Sequence, residues 1–353
     1  MIILGIESSC DETAVGIVQD GQTLLANVVN SQIDIHKVYG GVVPEVAARS
    51  HIEVVIPVIQ EALDQATLSW DDIDGIAVTY GPGLVGSLLI GSLTARTLAT
   101  LKQKPLYAIN HVEAHIYANF ITAYPASLPS PAPGAMPQFP MLALIVSGGH
   151  SQLALFEDHF NYRLLGQTQD DAIGEAFDKV AKIIGLPYPG GPSIAAAAAE
   201  GNAQAFTFPK AHMSNPYDFS FSGLKTAVLR RVQQVCDKGY DFPSTQLAAL
   251  LSASQRNDIA ASFQRIAIET VVDKTVKAYN EFGPKSVVIA GGVAANQELR
   301  RQLSERLPFP IEYAAPKLCT DNGAMIAALG CFAALHKEKV DPFSLQVNPS
   351  LSM

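Results

Sequence analysis

The chain has 353 residues, of which 48% are hydrophobic and 16% charged, a composition that excludes a disordered or fibrous protein and allows roughly two globular domains. Its net charge of −9 opposes nonspecific binding to polyanions, so contact with nucleic acid requires a local basic patch or a helper subunit. No apolar run approaches the ~20 residues of a membrane span, and the four cysteines form no disulfide scaffold or C-x-x-C pair, which predicts a soluble cytoplasmic protein.

The chain begins with a predicted three-stranded meander that has a small polar loop at its first bend. Residues 2–6 form a buried strand, and Glu7 follows with no basic segment before it, which argues against a signal peptide. Strands at 13–18 and, after Asp20-Gly21, up to Val29 complete the meander. The same pattern recurs later in the chain, with strands at 141–146, 151–156 and 162–168.

A strand, a glycine loop and a helix then occur once in each half. Residues 73–80 lead into Gly81-Pro82-Gly83 and a helix, and residues 285–290 lead into Gly291-Gly292 and a helix. A short strand and a last helix follow each of them. We therefore predict a duplicated α/β fold whose two lobes face each other across a central cleft.

The predicted lobes are residues 1–120 and 141–340. Between them, residues 121–140 are rich in proline, serine and alanine, which predicts an exposed loop or linker. The second lobe carries a helical insertion at about 185–280, and residues 341–353 form a tail.

Two histidines, His111 and His115, begin the last helix of the first half. Residues four apart lie about 40° from each other around a helix axis, so both rings can offer nitrogens to one metal ion. A third ligand is needed, and the duplication predicts that the start of the matching helix, at Asp321, faces this pair across the cleft. Two imidazoles and one carboxylate suit iron(II) or zinc with positions open for substrate.

Several glycine loops are candidates for binding a phosphate or a ribose. Ser147-Gly148-Gly149 and Gly190-Gly191 allow close backbone approach and offer N–H donors, although each is equally well explained as a turn. Asp178 lies on a predicted helix near Gly191 and can accept ribose hydroxyls, or it belongs to a solvated helix face. Asn296 follows Gly291-Gly292 and is a ligand or a helix N-cap.

The loop Gly81-Pro82-Gly83-Leu84-Val85-Gly86 matches a dinucleotide-binding fingerprint, but the acidic residue expected at the end of the next strand is missing, since that strand ends at Ile109-Asn110. A tight strand-to-helix turn is the better interpretation.

Asp11 and Glu12 are adjacent carboxylates in the first-strand loop. They can position a nucleophile or accept its proton, and turn formation explains them equally well.

A helix is predicted from Pro44 to about Ala66, and its middle, residues 52–59, is apolar nearly all the way round. Either the helix lies in a core or one of its faces docks against another protein. For the second case we predict that Val55→Asp or Ile59→Asp disrupts assembly more than folding.

Several short motifs follow one another along the chain in a specific order. They are Glu7-Ser-Ser-Cys-Asp-Glu-Thr13, Tyr39-Gly-Gly-Val-Val-Pro-Glu45, His111-Val-Glu-Ala-His115, Val146-Ser-Gly-Gly-His150, Gly174-Glu-Ala-Phe-Asp-Lys179, Tyr188-Pro-Gly-Gly-Pro192, Gly291-Gly-Val-Ala-Ala-Asn296 and Cys319-Thr-Asp-Asn-Gly-Ala324. Together they resemble the bacterial TsaD family of tRNA threonylcarbamoyladenosine transferases, once labelled O-sialoglycoprotein endopeptidases. The segment 121–140 looks longer than is usual for that family.

The resemblance implies an actin/Hsp70/sugar-kinase-like (ASKHA) fold and transfer of a threonylcarbamoyl group to the adenine next to the tRNA anticodon. It implies one Fe²⁺ held by His111, His115 and Asp321, with Zn²⁺ possible in preparations. It also implies partners: TsaB as a heterodimer partner and TsaE as an ATPase. The residues implied to hold L-threonylcarbamoyl-adenylate are Ile145, Val146, Ser147, Gly148, Gly149, Asp178, Gly191 and Asn296.

The histidine pair also suggests a metalloprotease, and the implied fold also suggests a non-catalytic ATP-binding module. A metalloprotease of the zincin type needs H-E-x-x-H, but Val112 holds the place of the glutamate and Glu113 lies about 200° round the helix from His111. A non-catalytic ATP-binding module shares the implied fold, but such a module does not require a metal-binding histidine pair with an opposed aspartate.

Overall fold

The structure is a computed structural model that describes residues 1–125, 136–308 and 311–353. It divides into two compact units: unit 1 contains Met1–Pro137 and Glu312–Met353, and unit 2 contains Gln138–Ile311. The strands are β1 (Ile2–Glu7), β2 (Glu12–Gln19), β3 (Thr23–Ser31), β4 (Gly75–Gly81), β5 (Leu106–Asn110), β6 (Met141–Val146), β7 (Ser151–Asp158), β8 (Asn161–Gln167), β9 (Ser286–Ala290) and β10 (Glu312–Tyr313).

The described helices alternate with these strands. They are α1 (Ile33–Lys37), α2 (Pro44–Ala66), α3 (Val85–Lys102), α4 (His111–Tyr117), α5 (Ile173–Ile184), α6 (Gly190–Ala199), α7 (Ser222–Val235), α8 (Ser244–Leu247), α9 (Ala253–Phe282), α10 (Gln297–Arg306), α11 (Pro316–Cys319) and α12 (Gly323–His336). None of the helices in the described ranges is both long and apolar enough to cross a bilayer.

The sheet of unit 1 has the strand order β3–β2–β1–β4–β5. Strand β1 pairs antiparallel with β2 and parallel with β4, so its residues 3–6 are buried between two neighbours. Helices α2 and α3 pack together on this unit, and side chains of α2 such as Val55, Ile59 and Leu63 join the core formed by the sheet. Proline at the first position of the helix, Pro44, marks the start of α2.

Helix α12 packs against strands β1, β2, β4 and β5 and against helix α4, all within unit 1. Residues from Ala324 to Ala333 are buried, which explains why the helix is apolar on every side. The sequence predicted residues up to 340 in the second lobe, whereas the structure packs Glu312–Met353 with the first unit. The start of α12 fits directly against the backbone of β1 and β2 because Gly5, Gly16 and Gly323 carry no side chain at the points of contact.

In unit 2 the strands lie in the order β9–β6–β7–β8, with β6 antiparallel to β7 and parallel to β9. This matches the order β4–β1–β2–β3 of unit 1, so the predicted α/β class and the duplication are confirmed. After β8 the described chain continues through helices α5 to α9, of which α9 is the longest. Of the predicted linker 121–140, residues 126–135 lie outside the described residues, and Ala123 pairs with Thr23 at a sheet edge.

Candidate functional site

Helix α4 places His111 and His115 side by side. Asn110 caps its start, because the side-chain oxygen accepts hydrogen bonds from the N–H groups of Val112 (2.8 Å) and Glu113 (3.3 Å). Both imidazoles are buried, with 7% and 2% exposure, and their ring centroids are 4.8 Å apart. The predicted helical spacing therefore brings the two rings to one site.

Asp321 reaches the same site from the turn before α12. A Cβ placed on Gly323 would lie 2.1 Å from the backbone nitrogen of Gly16, so only glycine permits this close approach of helix and sheet. Asn322 caps the helix by accepting from Met325 N–H (3.0 Å) and donates to the carbonyl of Thr320 (2.7 Å). These contacts fix the turn, and with it Asp321, inside unit 1.

The three side chains could hold one metal ion, since their ligand atoms all lie within 4.8 Å of one another. Asp321 Oδ1 is 3.2 Å from His115 Nε2 and 3.5 Å from His111 Nε2. Within the described ranges, neither ring nitrogen of buried His115 has a hydrogen-bond partner, because the 3.2 Å approach of Asp321 is not aligned for one. Burying such a nitrogen unpaired costs about 1–3 kcal/mol, and a metal ion would satisfy it, so the donor set fits a metal.

Glu7 orients the first of these imidazoles. Its fully buried carboxylate accepts a hydrogen bond from His111 Nδ1–H at 3.0 Å, and Ser9 Oγ lies 3.2 Å from the same nitrogen. Thr79 Oγ1 (2.5 Å) and Ser9 N–H (2.6 Å) donate to the two Glu7 oxygens. With its proton on Nδ1, His111 presents the Nε2 lone pair towards Asp321, which is the carboxylate–histidine arrangement typical of metal centres.

The charges of this cluster support each other. Burial opposes the charged form of His111, but the carboxylates of Glu7 and Asp321 outweigh it and raise the pKa of His111 to about 9. Burial likewise favours neutral Glu7, yet the facing imidazolium and its hydrogen bond hold the pKa of Glu7 below its ordinary value. A cation therefore belongs at this place, either a proton or a metal ion that displaces it.

Asp11 lies in the loop between β1 and β2, Glu12 is the first residue of β2, and both are half-buried. Burial, the nearby charges of Asp321 and Asp11, and a hydrogen bond to Asp11 raise the pKa of Glu12 to about 9. Ser31 Oγ donates to Glu12 at 3.2 Å. These surroundings favour the protonated form of Glu12.

The predicted glycine loop of unit 2 is a tight turn after β6. Ser147 N–H donates to the His150 carbonyl (2.8 Å) and Ser147 Oγ accepts from His150 N–H (3.0 Å). Gly148 and Gly149 are exposed, with no atom within 4 Å of where a Cβ would lie. Behind them begins α5, whose Gly174 N–H donates to the Ser147 carbonyl (3.1 Å), so the loop lies at the positive end of a helix.

Asp178, on α5, is joined to the second glycine loop of unit 2. Its Oδ1 accepts from Gly190 N–H at 2.6 Å, and a Cβ on Gly190 would lie 2.5 Å from the Asp178 Cα. Nothing lies within 4 Å of a Cβ on Gly191, so that residue borders open space. Lys179 pairs with Asp171 and Glu175 instead, which leaves Asp178 Oδ2 without a hydrogen bond in the described part of the chain.

The remaining predicted ligand residues offer mainly their backbone. The side chains of Ile145 and Val146 are fully buried in the sheet. Asn296 caps α10 by accepting from Leu299 N–H (3.1 Å) and donates to Gln264 (3.0 Å), so its side chain has the structural role that the sequence left open. These residues lie in unit 2 and the histidine cluster lies in unit 1.

Two N–H groups of the loop that resembles a dinucleotide fingerprint are bonded within the protein. Gly83 N–H donates to the Pro349 carbonyl (3.2 Å) and Leu84 N–H to the Ser9 carbonyl (2.8 Å). The interpretation as a tight turn agrees with these contacts.

Sequence reasoning missed Glu7 and Ser9 as parts of the histidine cluster. Glu7 closes an apolar strand, and a carboxylate that a strand carries into the core needs a charged or donating partner. That signal was present in the sequence, but nothing in it identified His111, more than a hundred residues later, as the partner.

Known proteins match this chain over nearly its whole length. The family model "TsaD: tRNA N6-adenosine threonylcarbamoyltransferase" matches residues 23–328. A curated tRNA N6-adenosine threonylcarbamoyltransferase of Thermomicrobium roseum is 48% identical over 348 residues, covering 97% of this chain and 94% of the relative.

Solved structures show the same fold at low identity. HypF of T. kodakarensis has a TM-score of 0.54 and 15% identity, covering 96% of this chain and 48% of that one. Component A of the (R)-2-hydroxyglutaryl-CoA dehydratase of Acidaminococcus fermentans has a TM-score of 0.50 and 17% identity, covering 96% and 100%. These neighbours confirm the predicted actin/sugar-kinase-like fold.

Proposed function

Because the chain belongs to the TsaD family of tRNA N6-adenosine threonylcarbamoyltransferases, we propose that it transfers the threonylcarbamoyl group of L-threonylcarbamoyl-adenylate to tRNA. The acceptor is the exocyclic amine of the adenine next to the anticodon in tRNAs that read codons beginning with A. The observation that carries this proposal is the buried His111, His115 and Asp321 cluster with its unsatisfied imidazole. Since tRNA is the acceptor, we place the reaction in the cytoplasm.

The metal assigned to this cluster is one Fe²⁺ per chain, with Zn²⁺ able to occupy the site in preparations. Two imidazoles and one carboxylate leave coordination positions open, which is the donor set of non-haem iron(II) and of catalytic zinc sites. When bound, the metal would stabilise negative charge on oxygens of the donor as AMP leaves. Glu7 keeps His111 in the tautomer that such binding needs.

The reaction needs little bond activation from the protein. The donor is a mixed anhydride, so the amine nitrogen attacks an already activated carbamoyl carbon, the bond from that carbon to the phosphate oxygen breaks, and AMP leaves. The attacking amine loses one proton. The chain's own groups must therefore position two substrates and accept a proton.

Asp11 and Glu12 are the proposed proton-handling pair. Because burial raises the pKa of Glu12 and favours its protonated form, we propose Glu12 as a hydrogen-bond donor and Asp11 as the acceptor for the amine proton. This gives the two adjacent carboxyls different tasks from their surroundings alone.

Asp11→Asn is expected to lower the rate of transfer by about 10²–10⁴-fold, the usual contribution of a general base, whereas Glu12→Gln keeps a donor in place and costs about tenfold or less. Single-turnover formation of threonylcarbamoyladenosine measures both. Slow transfer by Glu12→Gln with normal transfer by Asp11→Asn would mean that the two residues have the opposite roles. Normal transfer by both variants would mean that neither carboxyl takes part in the reaction.

We propose that the adenylate binds to the loop Ile145–Gly149, to Asp178 and Gly191, with Asn296 holding the neighbouring turn. The exposed backbone of Gly148 and Gly149, next to the N-terminal end of α5, suits the phosphate. The Asp178 oxygen that accepts no hydrogen bond from the described residues suits a ribose hydroxyl, while its other oxygen accepts from Gly190 N–H.

Asp178→Asn is expected to weaken adenylate binding by about 10–150-fold, because a hydrogen bond to a charged group contributes about 1.5–3 kcal/mol. The amide oxygen still accepts from Gly190 N–H, so this variant separates ligand binding from loop structure, whereas Asp178→Ala loses both. Calorimetry with a non-hydrolysable adenylate analogue measures the affinity, and metal content is the control. Unchanged affinity in Asp178→Asn would place the ribose elsewhere.

The proposed partners are TsaB as a heterodimer partner and TsaE as an ATPase. Five large apolar side chains on α2 and α3 are 42–61% exposed and form what we call the docking face: Ile52, Ile56, Val85, Leu89 and Leu93. An exposed apolar surface on paired helices suits another helical protein. The net charge of −9 also favours a partner, because an acidic chain needs a basic surface, supplied in part by that partner, to bind tRNA.

Neither rival function has support. The relatives are transferases, and Val112, which stands where a zincin needs its glutamate, is buried. The decisive experiment incubates the protein with TsaB, TsaE, threonine, bicarbonate, ATP and tRNA, and then measures threonylcarbamoyladenosine in digested tRNA. No product with active partners would contradict the proposed function.

A further inference from the structure

The buried histidine His51, on the inner face of α2, makes two hydrogen bonds to the loop after β1. Its Nε2 is 3.0 Å from the carbonyl oxygen of Cys10, and its Nδ1 is 2.7 Å from Oγ1 of Thr13. His51 and Thr13 have no exposed surface. A single ring therefore bridges the residue before Asp11 and the residue after Glu12.

The direction of both hydrogen bonds follows from the chemistry of the partners. A carbonyl oxygen only accepts, so Nε2 of His51 carries a hydrogen and Nδ1 accepts from the Thr13 hydroxyl. Burial holds the pKa of His51 below its ordinary value despite the Cys10 carbonyl, which agrees with a neutral ring.

The loop is held at other points, but His51 alone bridges the carboxylate pair in the described contacts. Ser87 Oγ also donates to the Cys10 carbonyl (3.0 Å), and Gln32 N–H donates to the Asp11 carbonyl (3.0 Å). These bonds hold the backbone before Glu12, and the pairing of β2 with β3 holds it from Glu12 onward. The ring adds a direct link between the two sides, from the Cys10 carbonyl to the Thr13 hydroxyl, across the two residues that carry the carboxyl groups.

We propose that His51 is a positioning residue that sets the turn Cys10–Thr13 and thereby orients Asp11 and Glu12 for the transfer reaction. This inference rests on the proposed function of the two carboxyls. A misplacement of about 1 Å at reacting groups can cost about 10²-fold in rate, so the ring is expected to affect kcat rather than substrate binding.

The kinetic test uses His51→Phe, which keeps a ring but no hydrogen bond, and the pair Thr13→Val and Thr13→Ser. We expect kcat to fall about 10²-fold in His51→Phe and about tenfold in Thr13→Val, with KM for tRNA and metal content unchanged. Thr13→Ser keeps the hydroxyl and should restore kcat to within about twofold. A purely structural role would lower the melting temperature but leave kcat of the folded protein unchanged, and that result would overturn the proposal.

A second readout does not depend on activity. Cys10 is partly buried in the turn, and burial raises the pKa of its thiol, so a loosened turn should expose it and speed its alkylation by a maleimide. In a Cys236→Ser background, His51→Phe and Thr13→Val should react roughly tenfold faster than Thr13→Ser.

The two readouts separate the inference from the proposed function. Faster alkylation with normal kcat in Asp11→Asn and Glu12→Gln would mean that His51 holds the turn but that the carboxyls do not act, which contradicts the proposed function. Equal alkylation rates in the valine and serine variants of Thr13 would contradict the positioning role. If His51→Phe does not fold, the Thr13 pair still decides.

Discussion

Replacing Asp321 with alanine is expected to give a folded protein that holds no metal and does not transfer. Asp321 is 23% exposed in its side chain and sits in a turn that Asn322 caps independently, so its loss removes a ligand without opening the core. If three ligands share the binding energy of a typical protein zinc site, losing one costs about 4 kcal/mol, on the order of 10³-fold in affinity. His111→Ala should do the same. Elemental analysis of anaerobically purified protein measures the metal, and the tRNA assay measures transfer.

The matched control is His212→Ala, which removes an exposed histidine of unit 2 and should keep both metal and activity. Glu7→Gln gives a graded test, because loss of a carboxylate behind a metal-binding imidazole weakens metal affinity by about 10–100-fold while every ligand remains. Full activity in Asp321→Ala protein shown to be metal-free would end the metal hypothesis.

The sequence predicted most elements because local rules and packing agree. Helix α2 runs from Pro44 to Ala66 as predicted, since proline at its first position and a left-handed Thr67 after its last residue mark both ends. The duplicated meander was visible from strand spacing alone. The placement of α12 was not, because an all-apolar helix indicates burial without indicating which sheet buries it.

For the candidate site, too, local patterns in the sequence predicted some residues, while contacts between distant residues were not predicted. Spacing predicted that His111 and His115 share one side of a helix, and the duplication indicated Asp321. The path to Asp321 differs from the predicted one: it lies in the same unit as the histidines, brought there by the return of α12, instead of facing them from the second lobe. Glu7 and His51 depend on contacts between residues distant in sequence, which periodicity does not report.

Helix α2 required a correction at the level of single residues. Val55 and Ile59 are 4% exposed and belong to the core, so the predicted use of Val55→Asp or Ile59→Asp against assembly was wrong. The exposed apolar residues are Ile52 and Ile56. Because residues 52–59 are apolar nearly all round, the sequence pattern did not indicate which face of the helix is buried. Only packing against the sheet distinguishes the buried face from the exposed one.

The double variant Ile52→Asp, Ile56→Asp is expected to abolish the heterodimer with TsaB while leaving this chain folded. Both side chains are more than half exposed, at 61% and 57%, so charge there has little effect on the free protein. At the centre of an apolar interface each substitution should cost about 2 kcal/mol or more, and together at least about 10³-fold in affinity. Sizing chromatography and calorimetry with the partner measure the assembly.

The matched control is Val55→Asp, one position away from Ile56 but directed into the core. An unpaired carboxylate there costs about 3–5 kcal/mol, so a collapsed melting temperature is expected for Val55→Asp and a normal one for the double variant. We also expect an effect on catalysis. With TsaB present, the double variant should transfer as poorly as the wild-type chain does without TsaB. A normal heterodimer with the double variant would exclude this face and require that the partner bind elsewhere, because two carboxylates cannot be buried against an apolar helix without loss of affinity.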